Sequence, residues 1–101
     1  MGVITHHGCI SREHPAVPGH FPGNPIVPAA VILTELVRAV ERGLGPTVKV
    51  LELASVKFII PLRPGEPFTI GLESAGEDRL KFQAQCDDRI IASGIIRHSG
   101  V

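Results

Sequence analysis

The sequence predicts an α+β arrangement in which a curved antiparallel sheet packs one face over a single helix. Three observations carry that expectation. One stretch of strong helix formers follows Pro28, the residues after it read as successive strands, and the turns between the last strands are tight enough to make antiparallel neighbours the simplest solution. At 101 residues the chain has the length of one domain, spanning 1–101, and too little for a second core.

The elements follow in order. Residues 2–12 alternate β-branched and small polar side chains, which predicts a strand suited to a sheet edge. From His14 to Pro28, HPAVPGHFPGNPIVP carries five prolines and two glycines, which exclude a regular helix or central strand. Phe21, Ile26 and the flanking valines give this segment apolar anchors, so an ordered loop is expected rather than a linker. AAVILTELVRAVERGLG then predicts a helix with Pro28 at its first position and Gly43 and Gly45 at its end. Leu33, Leu36, Val37, Val40 and Leu44 form one apolar stripe, with Thr34, Glu35, Arg38, Glu41 and Arg42 on the opposite side. Ala29 to Leu33 is apolar all round and is expected to be enclosed. TVKVLELASVKFIIPL, PFTIGLESA, RLKFQAQC and RIIASGIIRH read as four strands, separated by turns at Pro64–Gly65, Gly76–Asp78 and Asp87–Asp88. In the third of these Leu80, Phe82, Ala84 and Cys86 alternate inward, and the last is apolar enough for burial on much of both faces.

Ten basic residues balance ten acidic ones with no block of like charge, so nothing points to nucleic acid. The four aromatics are all Phe, leaving the core to aliphatic side chains. Cys9 and Cys86 show no metal-type spacing and read as buried small hydrophobes in a reducing compartment. The first residues lack a signal-peptide pattern, and no apolar run approaches the ~20 residues of a membrane span. A cytoplasmic protein is therefore expected.

The segment His20 to Pro28 concentrates the chemistry. Histidine titrates near neutrality, so in a water-poor pocket it can take a proton from carbon or return one to a leaving group. The prolines restrict the backbone around it, and the helix that follows begins with N–H groups lacking intrahelical acceptors. A thioester carbonyl placed at that helix start would have its developing charge stabilised. The histidines His6, His7 and His14 are not accompanied by a carboxylate or thiol cluster at zinc spacing, so no metal and no other cofactor is expected.

This segment, HFPGNPIVP, resembles the active-site segment of the hot-dog dehydratases of fatty acid synthesis, with the pattern His-Phe-Pro-Gly-x-Pro-x-x-Pro running into the central helix. The wider stretch HPAVPGHFPGNPIVPAAVIL is similar to the small dehydratase-like proteins of aryl polyene type acyl chain assembly. ASVKFIIPLRPGEPFTI and CDDRIIASGII are similar to the family's later strands. The resemblance implies a hot-dog fold and a homodimer or larger assembly with tunnels at the interface. It also implies an acyl carrier protein or coenzyme A thioester as substrate, with His20 in the place of the catalytic histidine. Phe21, Gly23 and Pro28 fall at the matching substrate-site positions, and Ala29 stands where the family usually has glycine but retains the N–H that polarises the carbonyl.

Two positions depart from the family. The acidic residue expected fourteen positions after the histidine is replaced by Thr34, and a position often held by glutamine is Arg38. Glu35 is the nearest carboxylate, but one residue step turns a helix by ~100°. It reads as an exposed charge near Arg38, with a shifted catalytic acid as the alternative. The expected function is a dehydratase of β-hydroxyacyl thioesters, with His20 as base and Glu35 or water as the second group. A hot-dog acyl thioesterase and a non-catalytic acyl-binding or oligomerisation subunit are the alternatives.

Overall fold

A computed structural model describes residues 4–15 and 26–99. Six elements follow the expected order: β1 (Ile4–Cys9), α1 (Ala29–Leu44), β2 (Lys49–Phe58), β3 (Pro67–Gly76), β4 (Arg79–Cys86) and β5 (Arg89–Ser99). The strands form one antiparallel sheet in the order β1-β3-β4-β5-β2, with β1 at an edge as its composition predicts. The opposite edge, β2, is exposed along most of its length, including Leu51 and Leu53.

Turn chemistry sets the strand ends. Gly65 and Gly76 take φ of 88° and 148°, and Asp87 occupies the left-handed region at 54°, which aspartate tolerates better than most residues. Backbone bonds outside the ladders tie the connections down. Val27 N–H donates to Leu62 O at 2.7 Å, and Gly65 N–H donates to Ile10 O at 2.8 Å. The first bond anchors the approach to α1 against the segment after β2, and the second joins the end of β1 to the turn before β3.

The sheet's inner face and one side of α1 form the core. Leu80, Phe82, Ala84 and Cys86 alternate inward as expected, joined by Phe68, Ile70 and Leu72 from β3 and Ile91, Ala92 and Ile96 from β5. The helix contributes a different face from the one its large side chains suggest. Ile32, Glu35, Leu36, Ala39 and Val40 are buried, whereas Val37 is exposed and Leu33 and Leu44 are only partly covered. This face is rotated from the expected stripe by roughly one residue step of ~100°. A Cβ on Gly43 would lie 2.6 Å from Ile4 Cγ2, so the Ile4 side chain of β1 packs directly against the helix at that glycine.

Four further expectations are corrected. Glu35 is buried, not an exposed charge, because it lies on that sheet-facing side. Cys9 is exposed, because the alternation of β1 turns Ile4, His6 and Gly8 inward and Cys9 outward; only Cys86 is buried. Pro28 is the N-cap, with φ −60° and ψ 146°, rather than the first helical residue. Ala29 and Ala30 are exposed, so the apolar start of the helix is covered only from Val31 onward.

Candidate functional site

The site is assembled where the end of β1 passes α1. A cleft of about 530 Å³ is lined on one side by Cys9, Ile10, Ser11 and His14 and on the other by Ala30, Val31, Thr34, Glu35 and Arg38. Helical spacing places Val31, Thr34, Glu35 and Arg38 along one side of α1, three or four residues apart. The cleft therefore joins three of the residues singled out in the sequence: Thr34, Glu35 and Arg38.

Among the described residues that line this cleft, Glu35 is the buried ionisable group. Its side chain is 11% exposed, and Arg38 Nη1 donates to its Oε2 at 3.0 Å. On the other side, His6 Nε2 stands 3.5 Å from Oε1, with His6 itself buried. A carboxylate so enclosed requires compensating charge or donors, since burying an unpaired charge costs several kcal/mol, of the order of 3–5 when a partner is removed. Arg38 supplies that charge from a side chain that is 58% exposed at its outer end. Gly8 makes room: a Cβ there would lie 3.3 Å from Glu35 Oε1 and 2.6 Å from Phe68 Cζ. Thr34, at the position of the missing acid, is exposed, and its hydroxyl donates to Ala30 O at 3.0 Å. Thr34 thus adds a methyl and a hydroxyl to the cleft wall but no acid.

The remaining sequence candidates are divided. Ala29 lies in a separate apolar groove of about 240 Å³ with Ile26, Val27, Ile32 and residues 58–62. The helix start opens without a capping side chain; Val31 and Ile32 donate to Pro28 O at 3.0 and 3.4 Å, so Ala29 and Ala30 have the N–H groups without an intrahelical acceptor. His20, Phe21 and Gly23 lie outside the described residues. Sequence reasoning missed His6 and Gly8. The signal was present in the alternation Ile4, His6, Gly8, Ile10, whose apolar ends mark the inward face.

Comparison with known proteins establishes the fold and the family. Over 97 residues the chain is 28% identical to the 3-hydroxyacyl-(acyl-carrier-protein) dehydratase FabZ of Caulobacter sp. (strain K31), covering 83% of this chain and 60% of that protein. The chain thus spans about three-fifths of that relative's length. In fold it is similar to a chain of the dehydratase heterocomplex ApeI:P from Xenorhabdus doucetiae, with a TM-score of 0.83, 20% identity and coverage of 97% and 88% of the two chains. It is also similar to a 1,4-dihydroxy-2-naphthoyl-CoA thioesterase from Synechocystis, with a TM-score of 0.71, 15% identity and coverage of 96% and 80%. The five-stranded sheet around one helix is the hot-dog fold these structures share. The family model described as ApeI dehydratase matches residues 3–95, and the chain belongs to the ApeI-like dehydratase family.

Proposed function

We propose that this chain dehydrates β-hydroxyacyl thioesters carried by acyl carrier protein, with His20 as the base and Glu35 as the second acid–base group. In this reaction the base removes a proton from the carbon next to the thioester carbonyl. The C–O bond at the β-carbon breaks, the acid delivers a proton to the departing hydroxyl, and water and an enoyl thioester result. The observation that carries the reading is the Glu35 carboxylate, held at the wall of a cleft in a chain of this family. Family membership supplies the reaction class, and the FabZ relative's name supplies the acyl carrier protein. The N–H of Ala29 polarises the thioester carbonyl, and the apolar groove beside Ala29 receives acyl carbon.

The same reading makes the chain an oligomer, a homodimer in its simplest form. Support comes from the β2 edge and the segment after it, where Leu51, Leu53, Phe58 and Ile59 are exposed on a strand paired on one side only. The described residues contain no helix long and apolar enough to cross a membrane. Two free cysteines fit the reducing cytoplasm as the site of action.

The test is turnover of crotonyl and β-hydroxybutyryl thioesters, followed by enoyl absorbance. Glu35→Gln is expected to lower kcat by about 10²–10⁴ and His20→Ala to abolish turnover, with His14→Ala changing it much less. Full activity in Glu35→Gln would remove Glu35 from the mechanism. Release of free thiol without enoyl chemistry would replace dehydration with thioester hydrolysis. Thioester binding without turnover would leave an acyl-binding subunit.

A further inference from the structure

Within that reading, two buried histidines among the described residues, His6 and His98, have no role assigned by the reaction or by the family pattern, and His6 is the one that stands beside Glu35. His6 is the inward-facing residue at the middle of an edge strand, paired with Ile70 on β3 and flanked on its own face by Ile4 and Gly8. Apolar side chains fill the comparable inward positions of β3 and β4, so an imidazole here is a costly choice for packing alone. It is 7% exposed, and its Nε2 makes no hydrogen bond among the described residues. Glu35 Oε1 stands 3.5 Å away, beyond good hydrogen-bond length but within ion-pair reach.

The carboxylate is therefore approached from two sides by groups on different elements. Arg38, on the same helix, holds Oε2; His6, on the sheet, stands at Oε1; a Cβ on Gly8 of the same strand would lie 3.3 Å from that oxygen. We propose that His6 is a positioning residue for Glu35, fixing the carboxylate's orientation at the cleft wall from the sheet side while Arg38 fixes it from the helix side. A carboxylate held by Arg38 alone is tied to a largely exposed, flexible side chain and can follow it out of the cleft. One seated between helix and sheet keeps its angle to the substrate, and small misplacements of an acid–base group cost as much as ~10²-fold in rate. The proposal rests on Glu35 acting in turnover, and the experiment separates the two.

Full-length wild type, His6→Phe, His6→Gln, Glu35→Gln and the His6→Phe/Glu35→Gln double variant are compared by kcat, KM and melting temperature. His6→Phe is expected to lower kcat by about 10–100-fold with KM changed little. His6→Gln places an N–H donor near the lost Nε2 and is expected to recover most of that loss. The double variant is expected to be no slower than Glu35→Gln, because His6 acts only through that carboxylate. Imidazole ¹⁵N spectra at fixed pH provide the second measurement, and Glu35→Gln is expected to shift the His6 resonances. A folded His6→Phe with wild-type kcat overturns the proposal, as does a double variant whose losses add. If Glu35→Gln alone keeps full activity yet shifts the His6 resonances, the contact stands and the catalytic reading of Glu35 falls. Unchanged His6 resonances in Glu35→Gln sink the contact itself.

Discussion

Gly8→Ala puts the packing beneath the site to a quantitative test. Gly8 faces inward on β1 opposite Phe68 of β3, with a register that sets the ring against the glycine. The added Cβ would meet Phe68 Cζ at 2.6 Å and Cε1 at 2.9 Å, against an ordinary carbon–carbon separation of ~3.5–4.0 Å, so the ring must retreat by roughly 1 Å. Phe68 is 4% exposed and belongs to the core, so that retreat displaces packed neighbours. Overpacking of this kind costs about 1–3 kcal/mol. Replacing glycine in a strand returns about 0.5–1 kcal/mol through reduced freedom of the unfolded chain. Taken at mid-range, the two terms leave a net loss of about 1 kcal/mol, which for a chain near this size lowers Tm by roughly 4–8 °C. Urea unfolding monitored by circular dichroism measures it, and Phe68→Leu in the Gly8→Ala background is expected to recover part of the loss. Stability within about 0.5 kcal/mol of wild type would refute the claim that Gly8 exists to admit the ring.

The helix face is open to a paired comparison: Leu36→Ala, at a site 1% exposed, is expected to cost about 2–5 kcal/mol, whereas Val37→Ala, 36% exposed, is expected to cost far less. Equal losses would restore the stripe that hydrophobicity alone suggests. Glu66 accepts hydrogen bonds from the Arg63 N–H and the Arg89 guanidinium, which hold its carboxyl below the usual carboxylate range. Its stabilising contribution is therefore present above the unfolded carboxylate value, ~4.3, and is lost as pH falls through the lower folded value. Urea midpoints across that acid range are expected to fall less steeply in Glu66→Gln than in wild type, and parallel curves would count against the pairing. Leu53→Lys, on the exposed β2 edge, is expected to shift sedimentation toward monomer. A wild type that is already monomeric at tens of micromolar would contradict the oligomer instead.

Local pattern made most of the architecture legible in advance. Period-two alternation in Leu80–Cys86, the breaks at Gly65, Gly76 and Asp87, and the helix after Pro28 are properties of neighbouring residues, and each element lies where those patterns place it. The segment HFPGNPIVP carried the family resemblance, because its prolines and glycines constrain a short stretch of backbone without reference to the rest of the chain. The side of α1 that meets the sheet was not legible in this way. Large apolar side chains pointed to Leu33, Val37 and Leu44, but the side that meets the sheet is the one carrying Ile32, Glu35, Leu36 and Ala39. That rotation carried Glu35 from surface to interior and brought it within reach of His6, 29 positions earlier on another element. A histidine on an edge strand and a glutamate on a helix have no relation in sequence. Only the packing of α1 across β1 sets them 3.5 Å apart, because the distance depends on which side of the helix faces the sheet.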